Sequence, residues 1–572
     1  MRERRVRLLL LLAAIAVAAL GAWRWPQLLP ADLPALSPEP PGGDCARDPA
    51  GLPPPVAPDG RPANYLHTCG NRIYDSAGRQ VKIAGLNWSG METRDAAPGG
   101  LNGRNWQEIL DHVAALGYNT IRVPFSNEAV DPDTRIVNVD FVANPDLEGL
   151  TGLEMLDRLV AGAGERGLKV ILDRHRPTPD TFTDLWYTAQ VPEERWLADW
   201  RLLAARYRGD DTVIGADLSN EPRGRATWGS GDPKTDWRLA AERAGNAVLE
   251  ENPHLLVFVE GIESYEGENY WWGGNLQGVR NAPVRLSVPN RLVYSPHDYG
   301  PAISEQGWFW DARYPANLPA VWDRHWGYIH AEGIAPVVVG EFGGHSVGDD
   351  RDGQWQRSLI AYLEARDIGA LVWSLNPGWD TGGILREDWR TVEGAKHEAY
   401  RQLLSAPIAQ VGQGGSDGSP TANESLRLLY RQEPATGGEI AFAFRVLNQT
   451  KGELDPSRVE LRYWLTGDGP APAEAEDAAL SAETSGADVV AAVAAAPGGR
   501  QYLSLRFKPG AQPVPRYRAT AEVRTRLRGL LAAPDRAADY SYAGPSQATR
   551  RFVAWNRVTL YLDGALVWGR EP

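Results

Sequence analysis

Residues 212–222 read TVIGADLSNEP. From Thr212 to Leu218 the run is apolar and rich in β-branched residues, the pattern of a strand buried on both faces. It then ends on an amide, a carboxylate and a proline: Asn220, Glu221 and Pro222. Such an ending makes physical sense where several strands open onto one mouth, because polar groups that terminate apolar strands then meet. Pro222 fixes φ as the chain leaves the strand.

Seven further runs share the pattern: VKIAGLN from Val81, NTIRVPF from Asn119, LKVILDRH from Leu168, HLLVFVEG from His254, RLVYSPHDY from Arg291, APVVVGEF from Ala335 and GALVWSL from Gly369. Between them, residues 105–117, 152–167, 236–252 and 355–367 repeat apolar positions every three or four residues and predict helices. Eight buried strands alternating with helices predict an α/β fold, a (β/α)8 TIM barrel over residues 63–405. The alternative, a doubly wound open sheet, calls for a glycine-rich phosphate turn after its first strand, and GLNWSGMET at 85–93 is not one.

The barrel is flanked on both sides. MRERRVRLLLLLAAIAVAALGAW, residues 1–23, has a basic start and an apolar run, the form of an export signal, with an uncleaved anchor as the alternative. Prolines recur through residues 24–62 and predict an extended spacer, while GDDRDG at 348–353 reads as a loop. Residues 406–424 form a Gly/Ser linker, and 425–572 show short alternating runs that predict an all-β sandwich. The alanine-rich stretch from 471 to 497 reads as a long loop or a weak helix. The only two cysteines, Cys45 and Cys69, follow the signal and can pair in an oxidising compartment.

Composition narrows the partner. A formal net charge of −14 argues against nucleic acid, which is gripped by clustered Lys and Arg. Of the 22 Trp, most are expected in or beside the core, and the remainder as platforms for flat ligands. No CxxC or HExxH motif suggests a catalytic metal.

Glu341 in VVVGEFGG ends the seventh strand as Glu221 ends the fourth. Two carboxyl groups across a cleft divide the work of breaking a glycosidic bond: one protonates the leaving oxygen while the other attacks or activates water. Burial, or the negative charge of the other glutamate, would hold the proton on the acid. Arg122, His175, His297, Tyr299 and Trp373 end other strands at the same rim.

With IAGLNWSGMET, GYNTIRVPFS, VILDRHRP, LSNEP, YWWGGNLQG, PNRLVYSPHDYG, VVVGEFGG and DTGGIL in order, the span from 65 to 404 resembles the bacterial endoglucanases of glycoside hydrolase family 5. The resemblance implies a secreted endo-β-1,4-glucanase acting with retention, Glu221 as acid/base and Glu341 as nucleophile, their carboxyl groups about 5 to 5.5 Å apart. It implies that Asn220 bonds the sugar 2-hydroxyl and that Arg122 and Tyr299 hold Glu341. His175 and His297 would then bond the sugar at the cleaved linkage, Trp373 would floor its subsite, and Trp88 and Trp272 would stack on sugars. No cofactor is implied for catalysis. A mannan- or xyloglucan-directed enzyme and a non-catalytic glycan-binding scaffold are the alternatives.

The C-terminal region resembles a family 3 carbohydrate-binding module through VELRYWLTGDG, ADYSY and WNRVTLYLDGALVWGREP. Thr466, Asp468 and Asp539 match positions that hold a structural calcium in such modules. Near Leu531 the pattern departs from the tryptophan that stacks on crystalline cellulose, so weak binding to that surface is expected. The partner expected is cellulose or another β-1,4-glucan, bound by a monomer.

Overall fold

The computed structural model describes residues 45, 48, 50–53, 55–57, 62–378, 381–408, 425–434, 439–465, 481–485, 489–497, 500–528, 540–542 and 552–572. The expected export signal, most of the linker, Leu531 and the calcium-site candidates Thr466, Asp468 and Asp539 lie outside these residues. Among the described residues no helix is long and apolar enough to cross a membrane.

Nine parallel segments form one closed sheet: β1 (Ala84–Asn87), β2 (Thr120–Ser126), β3 (Lys169–Arg176), β4 (Val213–Asp217), β5 (Leu256–Val259), β6 (Leu292–Tyr294), β7 (His297–Tyr299), β8 (Val338–Gly343) and β9 (Gly369–Val372). They correspond to the eight expected strands, because β6 and β7 are halves of one strand interrupted at Ser295 and Pro296. The first half pairs with β5 and the second with β8, and a bridge between Tyr294 and Val337 helps close the barrel. Its interior is filled by Ile83, Ile171, Ile214, Leu256, Phe258, Val293, Val338 and Leu371. These bulky apolar side chains make a packed core rather than a pore.

The principal helices start at residues that satisfy their free N–H groups. Asn105 caps the helix Trp106–Ala115, Thr151 and Glu154 form a capping box for Gly152–Glu165, and Asp236 caps Trp237–Glu251. The helix Arg351–Arg366 begins earlier than the apolar period predicts. Asp350 accepts the Gly353 N–H, so the end of the GDDRDG stretch is a first helical turn and not a loop.

Packed chain also begins before residue 63. Cys45 is joined to Cys69, Asp48 pairs with the buried Arg291, and Ala57 enters the main core. Prolines bar helix and sheet interior here, but leave an extended chain free to lie across the barrel. At the other end Ile408 is buried against the barrel interior cluster, inside the stretch whose composition reads as linker.

The C-terminal region is two antiparallel five-stranded sheets. The strands are β10 (Leu426–Gln432), β11 (Ile440–Asn448), β12 (Val459–Leu465), β13 (Ser481–Ser485), β14 (Val489–Ala495), β15 (Gln501–Phe507), β16 (Val523–Arg528), β17 (Val553–Ala554), β18 (Val558–Leu562) and β19 (Ala565–Trp568). One sheet runs β13-β16-β11-β10-β17 and the other β14-β15-β12-β18-β19. Tyr430, Phe442, Tyr463, Leu503 and Leu560 lie in their shared core. The alanine-rich stretch supplies the edge strand β14, where pairing with β15 overrides the helical preference of alanine.

This sandwich is docked on the barrel. Tyr517, 3% exposed, gives its hydroxyl to Asp111 (2.8 Å) and accepts from Arg166 (2.9 Å). Its carbonyl accepts from Asn105 (3.2 Å), and Arg518 donates to the Ala143 carbonyl (3.0 Å).

Candidate active site

Tryptophans fix the backbone where the site strands end. The indoles of Trp196 and Trp200 donate to the Leu218 carbonyl at 3.0 and 3.1 Å, and that of Trp237 donates to the Glu260 carbonyl at 2.8 Å. All three rings are buried, as a core reading of most tryptophans expects. Leu218 precedes Asn220 and Glu221, and Glu260 follows β5, so packing behind the barrel mouth sets where these polar groups emerge.

Arg122 is the hub. Fully buried, it sends Nη1 to Glu341 Oε1 (2.6 Å) and Asn87 Oδ1 (2.9 Å), and Nε to Asp217 Oδ2 (3.0 Å). Its Nη2 lies 3.1 Å from each of Asn220 Oδ1, Glu260 Oε1 and Asp173 Oδ1. Sheet register explains the convergence: Asn87 stands beside Arg122 across β1 and β2, and His297 beside Glu341 across β7 and β8. The second oxygen of Glu341 accepts the Tyr299 hydroxyl at 2.7 Å. Both oxygens of Glu341 are thus aimed by donors.

Across from it stands Glu221, partly exposed and with φ at +49°. His297 lies between the two glutamates, its Nδ1 3.2 Å from Glu221 Oε1 and 3.5 Å from Glu341 Oε2. One oxygen of each carboxylate and a ring nitrogen of His297 fall within 4.8 Å of one another. That spacing suits direct attack by one carboxylate and is short for an intervening water.

Burial pushes the Asp173 and Asp217 carboxyls up to about 6 in spite of Arg122. Desolvation drives His175 down to about 4, so it is neutral beside Asp173 Oδ2 at 2.7 Å. His297 goes the other way: desolvation opposes its charge, but Glu260, Glu341 and Glu221 raise it well above an ordinary histidine. Burial would raise Glu221, yet the hydrogen bond and charge of His297 hold it below the usual glutamate range. The sequence reading has the second glutamate keep a proton on the first; the structure differs because Arg122 occupies Glu341 and an imidazolium stands between them.

Residues 74–378 match the family described as cellulase (glycosyl hydrolase family 5). The chain belongs to this family. An endoglucanase of Paenibacillus polymyxa is 50% identical over 354 residues, covering 61% of this chain and 89% of its own. Among solved structures, the catalytic domain of the major endoglucanase from Xanthomonas campestris pv. campestris is 41% identical with a TM-score of 0.57, covering 59% of this chain and 99% of that one. A hyperthermophilic endocellulase from the archaeon Pyrococcus horikoshii is 40% identical with a TM-score of 0.58, covering 60% and 99%. Residues 427–569 match a cellulose binding domain.

The rim of the family 5 cleft carries the remaining expected residues, with one correction. Trp373 stacks on His175, centroids 5.5 Å apart and planes 9° off parallel. Trp272 is 45% exposed, with the Arg223 guanidinium 4.1 Å from its ring centre. Trp88 is fully buried and donates its indole N–H to the Gly99 carbonyl (3.0 Å), so it presents no face to a sugar. It follows β1 directly, and the loop 89–99 folds back over it.

Sequence reasoning missed Asn87, Asp173, Asp217, Glu260 and Arg223. Asn87 and Asp217 end their strands, Glu260 lies just beyond β5 and Asp173 lies within β3, but each reads as an isolated polar residue until the register brings it to Arg122. Sets such as Asp173, His175 and Glu341, or Asp173, Asp217 and Glu260, are close enough to hold a cation. In both, Arg122 already contributes positive charge to carboxylates of the set.

Proposed function

We propose that the protein is an endo-β-1,4-glucanase that cleaves internal glucosidic bonds with retention, using Glu341 as nucleophile and Glu221 as acid/base. The observation that carries the assignment is the pair of carboxylate oxygens lying with His297 inside 4.8 Å. In the first step Glu341 attacks the anomeric carbon while Glu221 gives its proton to the departing glycosidic oxygen. In the second, Glu221 takes a proton from water, which attacks the glycosyl-enzyme ester and frees Glu341. Arg122 and Tyr299 hold and orient the nucleophile. Asn220, His175 and His297 meet sugar hydroxyls at the cleaved bond, and Trp373 and Trp272 offer ring faces to neighbouring glucoses.

The sandwich module presents glucan to the barrel. Export through the segment at 1–23 would place a monomeric enzyme outside the cell, in keeping with a relative named major extracellular endoglucanase from Xanthomonas campestris pv. campestris.

The test is reducing-sugar release from carboxymethylcellulose, lichenan, glucomannan and xyloglucan, with Glu341→Ala and Glu221→Gln as controls. Strong release from carboxymethylcellulose, falling by roughly 10²- to 10⁴-fold in Glu221→Gln and vanishing in Glu341→Ala, is expected. Release confined to glucomannan or xyloglucan would keep the mechanism and replace the substrate. Undiminished hydrolysis by Glu221→Gln would remove the acid assignment.

A further inference from the structure

We propose that Glu260, a buried carboxyl just beyond β5, is the positioning residue that sets the acid/base Glu221 in its working geometry. The proposal rests on the assignment of Glu221 as acid/base. Glu221 holds a left-handed backbone, which a residue with a side chain keeps only when its surroundings impose it. The restraint is visible: the Glu221 N–H donates to Glu260 Oε2 at 2.7 Å. The other oxygen, Oε1, lies 3.1 Å from Arg122 Nη2 and 3.2 Å from His297 Nε2. His297 in turn reaches the Glu221 carboxylate through Nδ1 at 3.2 Å. One carboxyl therefore holds the Glu221 main chain by a direct hydrogen bond and stands in ion-pair contact with the imidazole that meets the Glu221 side chain.

The grip is enclosed. Gly273 lies so close that a Cβ there would fall 2.2 Å from Glu260 Oε2 and 3.3 Å from the Glu221 Cα, and its own φ is +68°. The Gly261 N–H donates to the Gly273 carbonyl at 2.7 Å, closing the YWWGG loop over the contact, while Trp237 holds the Glu260 carbonyl from behind. Glu260 itself is 0% exposed. A glutamine in its place cannot reproduce the grip: if the amide oxygen keeps the Glu221 N–H, the amide NH2 faces Arg122, a donor that accepts nothing.

A residue that acts through the acid must matter most when the leaving group needs a proton. A residue that merely holds the fold must not make that distinction. The experiment measures kcat/KM of the purified chain without residues 1–23, on aryl β-cellobiosides from dinitrophenyl to unactivated phenyl leaving groups. Wild type, Glu260→Gln, Gly273→Ala and Glu221→Gln are compared, with circular dichroism as a fold check. For Glu260→Gln we expect a loss at least about tenfold greater on the phenyl than on the dinitrophenyl substrate. Gly273→Ala, which displaces Oε2 without changing its charge, should shift in the same direction and carries the test if Glu260→Gln does not fold. Equal losses on every leaving group, or wild-type rates, in the folded variant would overturn the proposal. Glu221→Gln separates the two levels: a steep dependence there with a flat one in Glu260→Gln sinks only the role of Glu260, whereas a flat dependence in Glu221→Gln sinks the acid assignment itself.

Discussion

At the scale of single residues, the imidazole between the two glutamates is the group expected to set the pH range of the proposed reaction. With Glu221 as the proposed acid, glycosidic cleavage needs it protonated in the free enzyme, so kcat/KM should fall as pH rises through its pKa. His297 holds that pKa below the ordinary glutamate value, which places the alkaline limb on the acid side of where an unperturbed glutamate would put it. Replacing the imidazole by an amide removes the positive charge and lets burial raise Glu221. His297→Gln should therefore move the alkaline limb of kcat/KM upward by about one pH unit, while kcat falls through the lost sugar contact. A pH profile that only scales down, with its limb unmoved, would show that another group sets it. Glu221, Glu341, His297 and Tyr299 were legible in the sequence because each lies where an apolar run gives way to polar residues and the barrel gathers such places; Arg122, expected to end its strand, lies instead within β2, with Val123 to Ser126 still in the sheet. Glu260 ends an apolar run too, but VEG carries no signature beside the NEP and GEF of the glutamates that were found.

At the scale of elements, the site depends on how strand exits are pinned from outside the barrel. Trp196 packs on Trp237 and Trp200 on Phe125, and the three indoles donate to two carbonyls, those of Leu218 and Glu260. The sequence showed the strands and helices but not this, since indoles at helical spacing read as core and the carbonyls they meet are distant in the chain. Leu218 has two donors and can spare one; Glu260 has the single bond from Trp237 as its indole anchor. Trp237→Phe keeps most of the apolar area and leaves that carbonyl without its buried donor, at a cost of about 1–3 kcal/mol. Calorimetry should show a lower melting temperature, and kcat should fall further than in Trp200→Phe. Equal kcat in the two variants would mean that the exit of β5 is held by the sheet alone. The interruption of the sixth strand was equally hidden: RLVYSPHDY reads as one run, and only the pairing of its halves with different neighbours reveals the break at Ser295 and Pro296.

For the whole molecule, the Gly/Ser composition of 406–424 says nothing of how the sandwich meets the barrel, and the structure shows the two in direct contact. Composition could disclose neither that Ile408 of this stretch is buried against the barrel nor a complementary surface more than a hundred residues away. That surface has one anchor and several weak satellites. Arg516 pairs with Asp111 at 3.0 Å, Arg445 with Glu148 at 3.5 Å and Arg518 with Glu108 at 3.6 Å, all with substantially exposed members. Such pairs contribute about 0–1 kcal/mol each and fade with salt. Tyr517 is different: its ring is buried, its hydroxyl joins Asp111 to Arg166, and the Arg516 guanidinium lies 4.3 Å from its ring centre. Losing it removes buried aromatic area, a loss on the order of 3–5 kcal/mol, while Asp111 and Arg166 keep their own ion pair at 2.7 Å. Tyr517→Ala should therefore undock the module: the radius of gyration from small-angle scattering should rise, the melting curve should separate into two transitions, and both changes should persist at high salt. Hydrolysis of carboxymethylcellulose should stay close to wild type, because the catalytic groups hang from Arg122 and the strand ends and none touches Tyr517. Activity on insoluble cellulose should drop, since a module free of the barrel no longer delivers its chain to one fixed side of the cleft. An unchanged radius with a single melting transition would show that the charged satellites hold the two parts without the tyrosine, and salt would then become the variable that separates them.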